Sequence, residues 1–179
     1  SEQNHAMPLS EAPYRVISSP HTPRPEVQLL SNGRYHVMIT NAGGGYSRWK
    51  DLAVTRWRED PTCDNWGSFC FIRDVESGEY WSTGFQPSRK SSRRFEAIFS
   101  EGRAEFRGIN HEYTSHLEIA VSPEDDVEVR RLRITNNARR SRTIDLTSYA
   151  EVWVRDGTGN LAVLATATVS VLALTWPHK

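Results

Sequence analysis

Short runs rich in Val, Ile, Phe, Tyr, Trp and Thr recur along this chain about every 8–12 residues, each closed by Gly, Pro, Asn, Asp or Ser. Long helical periodicity is absent. A chain patterned this way folds as strands joined by hairpins, with alternate side chains buried between two layers. The expected fold is all-β, an antiparallel β-sandwich.

The turns punctuate the runs. Residues 66–73 close in Glu76-Ser77-Gly78-Glu79 before Tyr80-Trp81, and residues 95–99 and 103–109 flank Glu101-Gly102; both read as hairpins. Residues 52–57 form another run. In 111–121, Leu117, Ile119 and Val121 share one face, with His116 and Glu118 on the other. Between the turns at 122–126 and 136–140, Val127 and Val129 have one parity and Leu132 and Ile134 the opposite one. That switch around Arg130-Arg131 predicts a β-bulge. Residues 143–154 put Ile144, Leu146, Ala150, Val152 and Val154 on a single face.

The boundaries follow from texture. Residues 1–7 read as an expression remnant, and 8–25, with Pro13, Pro20, Pro23 and Pro25, as an extended arm able to lie across the domain or a neighbour. Residues 26–154 are the sandwich. The tail, 155–179, is small, apolar and rich in threonine. Its apolar stretch is shorter than the roughly 20 residues of a membrane helix, and its alternation fits an extra strand instead of a span.

One strand, 35–40, breaks into Asn41-Ala42-Gly43-Gly44-Gly45, followed by Tyr46, Arg48, Trp49 and Asp51. Three glycines in a row mark a special turn or a contact loop. Gly43, Gly44, Gly45, Tyr46, Arg48, Trp49 and Asp51 are therefore the candidate substrate-binding residues. Aromatic faces stack on the C–H faces of sugar rings, while arginines and carboxylates hydrogen-bond hydroxyls. Trp57, Trp66, Trp81 and Phe85, with Arg56 and Arg58, add to that inventory, although sandwich cores also take large aromatics.

Other chemistries are poorly represented. Lys plus Arg number 22 and Asp plus Glu number 22, which argues against nucleic acid as the partner. The basic runs at 89–94 and 139–142 sit among turn residues and read as solvated loops. Cys63 and Cys70 form neither a disulfide framework nor a Cys-x-x-Cys pair, which fits a reduced, cytoplasmic setting. His111 and His116 lie five apart in a strand-like run, on opposite faces, and so are not expected to share a metal. Asp60, Asp64 and Asp74 lack partners at a telling offset, and Ser47 and Ser68 lack a nucleophile-elbow context. No catalytic residue, metal or cofactor is expected.

Leu30-Ser31-Asn32-Gly33-Arg34-Tyr35, Asn41-Ala42-Gly43-Gly44-Gly45-Tyr46-Ser47, Lys50-Asp51 with Arg56-Trp57-Arg58, Phe71-Ile72-Arg73-Asp74 and Trp81-Ser82-x-Gly84-x-x-Pro87 occur in order. Together they resemble the N-terminal β-sandwich domain of glycoside hydrolase family 94, formerly glycosyltransferase family 36, over about residues 24–153. The likeness is to the branch that makes cyclic β-1,2-glucan and, more loosely, to the family's phosphorylases. It implies a galactose-mutarotase-like supersandwich preceding a helical linker and an (α/α)6 barrel that carries the general acid. The chain would then be a non-catalytic fragment, framing a β-glucan or glucooligosaccharide site and a homodimer of a parent enzyme attached to the bacterial inner membrane. The 43–51 loop would map to the part of the domain aimed at the active site. After Trp153 the chain departs from the family pattern, by divergence or a shifted reading frame, so an incomplete supersandwich with open edges is expected. The alternatives are a free-standing carbohydrate-binding module and a structural oligomerisation sandwich. Buried tryptophans at 49, 57 and 81 would count against the module.

Overall fold

The computed structural model describes residues 13–55, 65–156 and 159–174. The expected remnant at 1–7 and the residues Arg56, Trp57, Arg58, Asp60, Cys63 and Asp64 lie outside the described residues. In chain order the strands are β1 (Arg15–Ile17), β2 (Val27–Ser31), β3 (Tyr35–Thr40), β4 (Gly45–Trp49), β5 (Leu52–Ala53), β6 (Ser68–Asp74) and β7 (Tyr80–Ser82). They continue with β8 (Arg94–Ser100), β9 (Arg103–Asn110), β10 (Tyr113–Val121), β11 (Glu128–Asn136), β12 (Arg142–Asp156) and β13 (Gly159–Leu174). Every pairing between them is antiparallel, and the described chain is all-β.

The strands form three sheets. A floor of five runs β1-β8-β9-β10-β11, a second sheet runs β2-β3-β4-β5, and a third runs β13-β12-β6-β7. Alternation decides what each buries. Leu30, Val37 and Ile39 of the second sheet close on Ala97, Phe99, Ala104, Phe106, Leu117 and Ile119 of the floor. Ile72, Trp81 and Ile144 of the third close on Tyr113, with Leu132 and Ile134 alongside. The floor thus supports both other sheets, and β10 contributes to both cores.

The hairpins at Gly78 and Gly102 form as the turn chemistry predicts, joining β6 to β7 and β8 to β9. The bulge does not. β10 and β11 stay in register from Tyr113–Asn136 to Val121–Glu128 without a slip. Val127 and Val129 face solvent, at 49% and 52% exposure, and the inward row is Glu128, Arg130, Leu132 and Ile134. The inward row of β11 takes the paired Glu128 and Arg130, so the valines turn outward and the strand keeps one parity. Of the 52–57 run, β5 covers Leu52–Ala53 and Thr55 makes a single bridge to Val152, while Arg56 and Trp57 lie outside the described residues.

Within the 8–25 arm, β1 pairs with β8. The Asn41 side chain then holds the arm's later part, donating to the Ser19 carbonyl at 3.2 Å and accepting from the Glu26 N–H at 3.0 Å. In the tail, β13 runs along β12 from Asp156–Gly159 to Arg142–Leu174. Among the described residues no helix is long and apolar enough to cross a membrane.

A polar lock sits at the junction of the floor and the third sheet. The Tyr113 hydroxyl donates to Asp74 Oδ2 at 2.6 Å, and Asp74 Oδ1 accepts from the Glu76 and Ser77 N–H groups. Arg142 lies 3.6 Å from the same carboxylate and pairs with Glu76 and Glu112, both at 2.8 Å. Burial opposes the Asp74 charge, but the bonds from Tyr113, Ser77 and Glu76 and the Arg142 charge hold its pKa below the usual carboxylate range. Burial first, then the bond to Asp74 and its charge, push the Tyr113 phenol above its ordinary value.

Candidate functional site

The glycine hairpin is a packed corner. The Thr40 N–H donates to the Gly44 carbonyl at 2.8 Å, and the Gly43 N–H donates back to the Thr40 carbonyl at 2.9 Å. Gly44 and Gly45 are buried. Two other backbone segments press on the corner. The Gly45 N–H donates to the Trp66 carbonyl at 2.7 Å and the Gln86 N–H to the Ala42 carbonyl at 2.8 Å. A Cβ on Gly45 would stand 1.9 Å from the Met38 carbonyl oxygen, a contact no side chain tolerates. The glycines let three backbones meet, and that meeting fixes where β4 lies.

β4 then separates the candidates by parity. Tyr46, half-buried, and Arg48, exposed, share the outer face, where with Ala53 and Thr55 they line a cleft of about 220 Å³. Ser47 and Trp49 point the other way. The Trp49 indole N–H donates to Asp126 Oδ2 at 2.6 Å, leaving the residue 37% exposed, and the Lys50 ammonium lies 4.5 Å from its ring centre. Trp49, together with Arg34 and Asn32, keeps Asp126 below the usual carboxylate range despite desolvation. Asp51 is exposed in the turn after β4, and its carbonyl accepts a long 3.4 Å bond from Arg48. The structure therefore brings Tyr46 and Arg48 together, ties Trp49 to the opposite face and leaves Asp51 at the edge. Trp81 is core, at 1% exposure.

Beneath β4 lies a network not foreseen from the sequence. The Ser47 hydroxyl donates to Glu128 Oε2 at 2.6 Å, Arg130 Nε donates to Glu128 Oε1 at 2.6 Å, and Arg130 Nη1 donates to the Ser68 carbonyl at 2.6 Å. Tyr35 and Cys70 border it. Burial, and then the Glu128 charge, raise the Tyr35 phenol, and burial raises the Cys70 thiol. The available signal was parity: Glu128 and Arg130 alternate in phase with Leu132 and Ile134. Ser47→Ala should lower stability by about 2 kcal/mol, since it takes a donor from a half-buried carboxylate. A denaturant midpoint equal to that of the parent chain would contradict this role.

A further polar cluster, Glu105 with His116 and Glu118, is internally paired. Glu105, His116 and Glu118 approach one another closely enough to hold an ion. Their carboxylates, however, pair with Arg103, Arg107 and Arg131, and His116 Nε2 lies 2.7 Å from Glu105. His111 sits in the β9–β10 turn against Glu79 and Trp81, apart from His116.

A sequence model of the glycosyl hydrolase 94 supersandwich domain matches residues 10–167. The chain belongs to glycosyl hydrolase family 94. This family 94 chain is 41% identical over 137 residues to the cyclic β-(1,2)-glucan synthase NdvB of Rhizobium meliloti (strain 1021), covering 76% of this chain and 5% of that protein. It is 30% identical over 145 residues to the N,N′-diacetylchitobiose phosphorylase of Vibrio proteolyticus, and 26% over 141 residues to the solabiose phosphorylase of Paenibacillus borealis. Each alignment covers 76% of this chain and 18% of the relative. The chain thus spans less than a fifth of the length of these relatives. The family 94 match extends into both the 8–25 arm and the 155–179 tail.

Proposed function

We propose that this supersandwich is the non-catalytic, glycan-framing domain of a β-glucan synthase or β-glucoside phosphorylase, and that the outer face of β4 is its contribution to the glycan site. In this reading catalysis belongs to a barrel domain of the longer enzyme, which is a dimer attached to the bacterial inner membrane. The observation that carries the framing role is the pairing of Tyr46 with Arg48 over one cleft, on a strand held by three converging backbones. A phenol ring and a guanidinium side by side offer a stacking surface and a fork of donors, which suits a hydroxyl-rich, uncharged ring. The lengths of the relatives support placing catalysis outside this chain.

Titration with β-1,2-glucooligosaccharides, followed by backbone NMR, should move the amides of residues 46–53 first. Arg48→Ala should weaken that response by on the order of tenfold. Incubation with a β-glucoside and phosphate should give no sugar phosphate. Turnover by the chain alone, or an absence of shifts in 46–53 at saturating saccharide, would overturn the reading.

A further inference from the structure

The outer face of the third sheet carries a second cleft. Cross-strand register places Phe69 opposite Tyr149 and Phe71 opposite Thr147, so these four side chains project from the same side, away from the Ile72–Leu146 core. Trp66, Phe69, Phe71, Pro87 and Tyr149 line a depression of about 220 Å³ with Asn65 at its rim. Phe71, Tyr149 and Trp66 are half-buried, so their rings form walls that remain partly open. Aromatic rings grouped in this way on a surface mark a contact site more often than isolated exposed ones do.

Three properties narrow the ligand. Among the described residues every lining side chain is uncharged, and the pair Arg73 with Asp145 lies in the next row along β6 and β12. The described lining therefore matches a neutral ligand. The volume is below the roughly 300–1,000 Å³ of pockets for drug-sized ligands, which suits one ring of a longer chain. Finally, the rim is continuous with the glycine corner, because the Trp66 carbonyl accepts from the Gly45 N–H and Gly67 packs on the Gly45 backbone.

A β-glucopyranose ring has equatorial hydroxyls and axial C–H bonds, so both of its faces are apolar enough to lie on an aromatic ring. We infer that the Trp66–Phe71–Tyr149 cleft stacks a single pyranose ring of a neutral β-linked glucosaccharide. This rests on the glycan reading above and extends it: a saccharide seated against β4 would have a second anchor across the Gly45–Gly67 contact. Phe71 and Tyr149 supply the ring faces, and Asn65 supplies amide donor and acceptor at the edge.

The test is the same β-1,2-glucooligosaccharide titration on the full chain, read at the Trp66 indole and the amides of 69–71 and 149. Phe71→Leu with Tyr149→Leu removes the ring faces while keeping apolar bulk, and a thermal melt confirms folding. If the double variant proves unfolded, Asn65→Ala at the exposed rim is read in its place. The cleft responses should weaken by on the order of tenfold in the variant and persist in Arg48→Ala. Shifts confined to 46–53 and indifferent to the variant would overturn the cleft and leave the β4 reading standing. A flat titration everywhere would overturn both.

Discussion

Gly45→Ala is expected to cost about 3–4 kcal/mol, enough to lower the thermal midpoint by roughly 10 °C in a chain of this size. The added Cβ meets the Met38 carbonyl oxygen at 1.9 Å, and neither atom can retreat. Met38 is held between β2 and β4, while Gly45 is tied to the Trp66 carbonyl. Relief requires the β3–β4 hairpin to part, which would also displace Tyr46 and Arg48. Gly33→Ala is the matched control. Gly33 also has positive φ, +88°, but nothing lies within 4 Å of a Cβ there, so only the backbone preference of about 1 kcal/mol is lost. Equal midpoints for the two variants would show that the corner is not the constraint described.

Asp74→Ala is expected to have an effect of similar size, about 3–5 kcal/mol, because it opens a buried, charge-assisted network from within. Asp74 is 4% exposed and accepts from Tyr113 and from two N–H groups of the β6–β7 turn. Its loss strands the Tyr113 hydroxyl and frees the turn. The pH dependence has a definite sign. A depressed Asp74 stabilises the fold above the ordinary carboxylate pKa, near 4, and that contribution fades as pH falls below it. A raised Tyr113 stabilises the fold below the ordinary phenol pKa, near 10, and that contribution fades as pH climbs beyond it. Urea midpoints against pH should show a plateau between those limits. Asp74→Asn should flatten the acid limb and Tyr113→Phe the alkaline one; limbs unchanged in both variants would remove the lock as their origin.

The sequence was most legible where a turn residue and a periodic run reinforced each other. Glu101-Gly102 between two β-rich runs leaves little alternative to the β8–β9 hairpin, and Glu76-Ser77-Gly78-Glu79 does the same for β6–β7. It was least legible where charge lies inside. The parity of Val127 and Val129 points to a bulge, yet Glu128 and Arg130 neutralise each other and so occupy the inward row, turning both valines outward. The candidate residues were found as a contiguous stretch. Which of them share a face depended on the hairpin corner, and the partnership of Trp49 with Asp126, 77 residues away, has no local signature. The cleft on the third sheet joins Trp66 and Phe71 of one run to Tyr149 of another, so it takes the β6–β12 register to assemble it.

Arg130 has a consequence beyond the site. It belongs to the floor, its guanidinium binds a backbone carbonyl of the third sheet, and through Glu128 it holds Ser47 of the second. No layer can swing away without leaving one of these groups unpaired in a partly dry interior. Opening between any two of these layers therefore breaks part of one shared network. Slowly exchanging amides of β4, β6 and β11 would then share one opening free energy, as a single cooperative unit and not three stacked ones.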